Sequence, residues 1–185
     1  PGRKSFSVVR VEKDSAQRLW QFPLTGGEPE VLFPTIDSIG YHCWLGKDSV
    51  AMFILTEPPS LQLASGSNAP FVLENKIGRS IKLIPGEPSV SYVLKEDSLH
   101  WKIKKYSIPE QKISDITGCL PPYEDFTWMP DGSMLMGQKG KLFQFTNSTR
   151  SWKEIADFSA AIPKIGRLCV SPDGKRLAIV GTVKG

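Results

Sequence analysis

The chain has 185 residues, 40% hydrophobic and 23% charged, a balance that supports a sizeable core and excludes a disordered chain. The formal net charge is +4, but the basic residues are scattered. The densest run, Lys102-Ile103-Lys104-Lys105, interleaves an apolar residue and reads as the solvated face of a strand, so a nucleic-acid partner is not expected.

Pro1-Gly2 opens a turn into a first strand-like stretch carrying Phe6 and Val8. Leu19-Trp20-Gln21-Phe22 and Glu30-Val31-Leu32-Phe33 follow, separated by the turn residues Thr25-Gly26-Gly27. The pattern then restarts. His42 and Trp44 alternate ahead of Gly46, Ala51 and Phe53 follow it, and the segments Leu61-Gln62-Leu63 and Phe71-Val72-Leu73 complete the set. Ile81 and Leu83 precede Pro85, with Val90 and Tyr92 after it, then Trp101 to Tyr106 and Lys112 to Ile116. Phe126 and Trp128 precede Pro130, with Leu135 and Gly137 after it, then Leu142 to Phe145 and Trp152 to Ile155. Leu168 and Val170 precede Pro172, and Leu177 and Ile179 close the series.

The anchors Pro1, Gly46, Pro85, Pro130 and Pro172 stand 45, 39, 45 and 42 residues apart. Period-two alternation on both sides of each anchor marks half-buried strands, and no long segment has a helical period. The unit is therefore four short antiparallel strands in about 43 residues, the size and strand count of a β-propeller blade. The expected fold is all-β, a single propeller segment over 1–185: a partial blade 1–35, blades 36–77, 78–118 and 119–158, and a partial blade 159–185.

Trp128-Met129-Pro130-Asp131-Gly132 and Val170-Ser171-Pro172-Asp173-Gly174-Lys175-Arg176-Leu177-Ala178 resemble the W-S-P-D-G-K-x-I-A repeat of TolB-like propellers. Arg18-Leu19-Trp20-Gln21-Phe22-Pro23-Leu24-Thr25-Gly26-Gly27 resembles that family's outer hairpin. The likeness spans essentially the whole chain and is weaker at Pro85-Gly86-Glu87 and Gly46-Lys47-Asp48, where the turn residues differ. The Gly-His and Trp-Asp dipeptides of WD-repeat propellers are absent from the sequence. The resemblance implies a six-bladed ring, an extracytoplasmic, periplasmic setting and a role in binding other proteins. Relatives also form the non-catalytic part of prolyl-oligopeptidase-type enzymes, and a few such propellers act on polysaccharide. Since the chain starts and stops inside a repeat, a segment of a longer six-bladed protein is expected, with a closed four-bladed ring as the alternative.

No catalytic residue is assigned. A Gly-x-Ser-x-Gly elbow is absent from the sequence, and Ser65-Gly66-Ser67-Asn68 reads as a turn. Cys43, Cys119 and Cys169 are widely spaced and outside any C-x-x-C pair, so they read as small buried hydrophobes. Asp48, Asp131 and Asp173 recur at the same turn, where an Asp side chain caps the backbone. Repeated residues point into different sectors and do not converge, so neither a metal nor a cofactor is expected. Glu124-Asp125 stands alone before Phe126, on a loop, and Trp44 and Trp128 read as core.

The segments before the first strand of each unit, 33–39, 74–78, 117–123 and 158–165, vary most between copies. Surface loops on a rigid scaffold carry binding functions. The expected binding surface is these segments together with Tyr41, His42, Arg79 and Tyr123 near them. A protein partner is expected, with carbohydrate or peptide as alternatives, and no membrane insertion, since no apolar run approaches the roughly 18 residues of a spanning helix.

Overall fold

The computed structural model describes residues 4–66 and 68–183. The first anchor, Pro1, and Ser67 of the Ser65–Asn68 turn lie outside the described residues. Every regular element among the described residues is a β-strand, and each strand pairs antiparallel with its neighbour in sequence. Strands β1 (Ser5–Val11), β2 (Gln17–Pro23) and β3 (Glu30–Leu32) form a three-stranded sheet. Three four-stranded sheets follow. The first is β4 (Ile39–Trp44), β5 (Ser49–Ile54), β6 (Ser60–Ser65) and β7 (Phe71–Asn75). The second is β8 (Ile77–Leu83), β9 (Ser89–Lys95), β10 (Trp101–Ser107) and β11 (Lys112–Gly118). The third is β12 (Phe126–Trp128), β13 (Met134–Gln138), β14 (Lys141–Thr146) and β15 (Ser151–Asp157). A hairpin of β16 (Lys164–Val170) and β17 (Leu177–Thr182) ends the series. The chain divides into two compact units, one reaching to Ile77 and one beginning at Gly78.

In the first unit, Leu19, Ile39, Val50, Met52 and Ile54 form a core between the first two sheets. In the second, alternate residues of β13 serve two cores. Met134 and Met136 join Val93, Ile103, Phe126 and Phe145 on one face, while Leu135 joins Leu142, Ile165 and Leu168 on the other. A strand buried on both faces reads as a continuous apolar run, because successive side chains point to opposite sides. Each such side chain contributes about 1.5–3 kcal/mol through burial.

The Pro-Asp-Gly stretches are turns. Asp131 Oδ1 accepts from the Ser133 backbone N–H at 2.9 Å and from its hydroxyl at 2.7 Å. Asp173 Oδ1 accepts from Lys175 N at 3.1 Å and from Ser171 Oγ at 2.6 Å. These hydrogen bonds hold both carboxyls below the usual carboxylate range, the Ser133 and Ser171 hydroxyls contributing most. Gly132 and Gly174 follow at φ of 82° and 71°, which an L side chain adopts only at a cost.

The alternation fails in places. Phe6 is 49% exposed, since β1 lies at a sheet edge, where its ring stacks on Phe22 at 5.5 Å. Leu83 is exposed at the last position of β8. Cys169 is exposed as well, not a buried hydrophobe, because it faces away from the side of β16 on which Leu168 is buried. Cys43 and Cys119 are half-buried, and burial pushes the Cys119 thiol up to about 12. The 74–78 segment is not a loop: β7 runs directly into β8 through Lys76 alone, at φ 59°.

Candidate functional site

The four nominated residues fall in different units and each has a local role. Tyr41, on β4, is 39% exposed and sets its ring edge-on to Phe53 at 5.8 Å. His42, next to it on β4, is half-buried. Arg79 belongs to β8 of the second unit. Tyr123 precedes β12, where its backbone N–H donates to Leu120 O at 3.0 Å and closes a small turn.

Arg79 lies in a charged cluster that the sequence left scattered. Its Nη2 donates to Asp125 Oδ2 at 2.5 Å and its backbone N–H to Glu124 Oε2 at 3.0 Å. Lys95, at the end of β9, reaches Glu124 Oε2 at 2.9 Å, and Arg167 of β16 donates to Asp125 Oδ1 at 2.5 Å. Glu124-Asp125 is therefore not isolated on a loop: three cations from three strands surround it. The pattern follows from the repeat, because Arg79, Asp125 and Arg167 all stand five or six residues ahead of their anchors. Position places them together, and opposite charge joins them. The carboxylates are the more buried partners, with side chains 14% and 18% exposed, whereas Arg79 and Arg167 are 36% and 39% exposed. Gly78 makes room for this. A Cβ there would collide with Glu124 Oε2 and lie 3.2 Å from Lys95 Cε.

His42 joins a second arrangement. Trp44 Nε1 donates to Ser7 Oγ at 2.8 Å, and His42 Nε2 lies 2.9 Å from the same oxygen. In the second unit Trp128 Nε1 donates to Ser91 Oγ at 2.8 Å, with Phe126 at the position of His42. The Trp-to-Ser bond is thus a repeated clamp from the first strand of one sheet to the strand after the anchor in the preceding sheet, β1 or β9. A signal for it exists in the sequence: Ser7 and Ser91 each stand six after an anchor, and the next unit then carries Trp. Where the next unit carries Leu83 or Val170 instead, that position is Met52 or Met136. A serine–histidine contact at this distance matches a nucleophile and its base. Its recurrence with Phe126 in place of the histidine favours packing as the role of this pair.

Burial lowers the His42 pKa from its ordinary 6.5. Between the two values the unfolded chain holds more protons, so stability is lost as pH falls. We expect His42→Phe, which installs the residue of the equivalent position, to flatten the acid limb of the stability curve below 6.5. Urea midpoints at several pH values test this, and parallel wild-type and variant profiles would reject it.

No family model and no curated protein matches the sequence. Solved structures do. TolB from Acinetobacter baumannii superposes with a TM-score of 0.67 at 18% identity, over 97% of this chain and 47% of that one. An oligogalacturonate lyase in complex with manganese gives 0.66 at 16% identity, over 89% and 50%. The oligogalacturonate lyase of Vibrio parahaemolyticus gives 0.60 at 14% identity, over 87% and 46%. The fold is that of a β-propeller. The chain spans about half the length of these structures, and its sheets are propeller blades in series.

Proposed function

We propose that this propeller is a non-catalytic, TolB-like module that binds a protein partner through segments ahead of the first blade strands, in an extracytoplasmic setting. The observation that carries the reading is the Arg79–Glu124–Asp125–Arg167 cluster. It ties down the residues that follow two variable segments, 117–123 and 158–165, and leaves both guanidinium groups more than a third exposed. With Lys95, three cations face two carboxylates, so the surface favours an acidic partner. Electrostatic complementarity of this kind steers association and selects partners. A rigid, charged platform under variable loops is what a docking surface needs.

Capture from extract by the wild-type chain, repeated with Tyr123→Ser and Arg79→Gln, tests the assignment. Loss of a captured protein from variants of unchanged stability is expected. An identical set of bound proteins would reject this surface.

The second reading, a portion of an enzyme, draws on the likeness to the oligogalacturonate lyases. One of those proteins binds manganese. The described residues here contain no group of three or more His, Cys, Asp or Glu side chains placed to hold an ion. They do not fit a metal centre.

A further inference from the structure

A cleft of about 480 Å³ lies in the first unit, within the range of small-ligand sites. Its apolar side is aromatic: Phe33 and Trp44 stand with ring centroids 6.4 Å apart, tilted by 41°. Gln21, Glu30, Lys47 and Asp48 supply the polar lining.

The hydrogen-bonding inventory of this lining is lopsided. Gln21 Nε2 donates to Glu30 Oε1 at 2.9 Å. The bond leaves Gln21 Oε1 and Glu30 Oε2 as acceptors of the lining. Asp48 adds another carboxylate. The Trp44 indole N–H, the one strong donor on the aromatic side, is already given to Ser7 Oγ. Lys47 is the single cation, on the exposed turn between β4 and β5. The cleft therefore offers acceptors and ring faces, and few donors. A sugar would need donors for its own oxygens. A planar, donor-rich cation satisfies both halves of the lining, because a guanidinium stacks on aromatic faces while pairing with a carboxylate.

The backbone at Phe33 is constrained. It has φ 51°, immediately before Pro34. A bulky residue in the left-handed region is an outlier, and a following proline favours extended backbone. The Ile36 N–H to Phe33 O bond at 2.9 Å closes the turn that holds it. Backbone strain of this kind concentrates at ligand clamps.

From these observations we infer that the cleft is a receptor for an arginine side chain of a peptide or protein partner. The arginine stacks on the ring surface that Phe33 and Trp44 together present to the cleft and pairs with Glu30. This goes beyond the docking surface proposed above, because it involves other residues in the other unit and a basic rather than an acidic partner.

The test uses the 185-residue chain and three probes: the peptide Ac-Gly-Arg-Gly-NH2, its citrulline counterpart and cellobiose. Nuclear magnetic resonance follows the Trp44 indole and Gln21 amide signals. The arginine peptide is expected to shift both. Citrulline, which is isosteric but neutral, is expected to bind at least about tenfold more weakly, and Glu30→Gln to weaken the arginine peptide by about the same factor. Phe33→Gly removes the ring while relieving the positive φ; because Phe33 also packs against the core of the first unit, its expected loss of binding is measured at a temperature where the variant remains folded. Equal binding of arginine and citrulline, preference for cellobiose, arginine affinity unchanged in Glu30→Gln, or no shift at millimolar peptide would each overturn the inference.

Discussion

Asp125→Ala is expected to cost about 2 kcal/mol of stability, more than a surface ion pair is worth and less than a fully buried one. The geometry sets this middle value. Asp125 accepts from Arg79 on one oxygen and from Arg167 on the other, both at 2.5 Å. Its own side chain is 18% exposed, while the two guanidinium groups are 36% and 39% exposed. Removing the carboxylate leaves two cations facing each other with one shared counterion gone. Solvent screens part of that penalty because the arginines reach water. Asp125→Asn keeps an acceptor but not the charge, and should fall between wild type and Asp125→Ala. Adding Arg167→Gln to Asp125→Ala should recover part of the loss, because it removes one of the stranded charges. Urea unfolding of the four proteins measures this. A loss under about 0.5 kcal/mol for Asp125→Ala would place the cluster among ordinary surface pairs and remove the rigid platform on which the proposed docking surface depends.

The blades were legible in the sequence because the repeat is written in features of short range. Alternation around Pro130 and Pro172, turn residues such as Thr25-Gly26-Gly27, and the absence of a helical period need only a few neighbouring residues. Asp131 and Asp173 were legible for the same reason: each caps a turn within two residues of itself. The site was harder. Asp125 and Arg167 are 42 residues apart, and Arg79 and Asp125 are 46 apart. Only the stacking of successive sheets brings them together, and no local pattern states which charge meets which. The sequence marks Arg79 only by its place beside a loop, and Glu124-Asp125 carries no local sign of its partners. The exposure of Cys169 escaped for a related reason. Cys43 occupies the same repeat position and is half-buried, so position alone does not report what covers it.

Gly137 breaks the apolar series at its repeat position, where the other copies have Val8, Phe53, Tyr92 and Ile179. The structure supplies the cause. A Cβ at Gly137 would lie 2.5 Å from Ile165 Cγ2 and 2.7 Å from Ile165 Cβ. Ile165 of β16 is 3% exposed and fills the space that a side chain on β13 would otherwise take. Gly137→Ala is expected to cost about 2 kcal/mol, since overpacking outweighs the gain from a stiffer unfolded chain. Gly166→Ala is the control: its Cβ would meet Val180 O at 3.5 Å, an ordinary contact, and should change stability by less than about 0.5 kcal/mol. Ile165→Ala by itself opens a cavity at a cost of about 2–5 kcal/mol; in the Gly137→Ala background it also relieves the Cγ2 contact while keeping the Cβ at 2.7 Å, so the pair should cost less than the sum of the two single changes. The effect should also reach the charged cluster. Arg167 lies two residues beyond Ile165 on the same strand, and pushing β16 away from β13 draws its guanidinium from Asp125. Gly137→Ala and Asp125→Ala should therefore be less than additive when combined, because each disrupts the Arg167 contact. Simple additivity would mean that β16 absorbs the added methyl group without moving Arg167, and that the cluster is held by Arg79 and Lys95 alone.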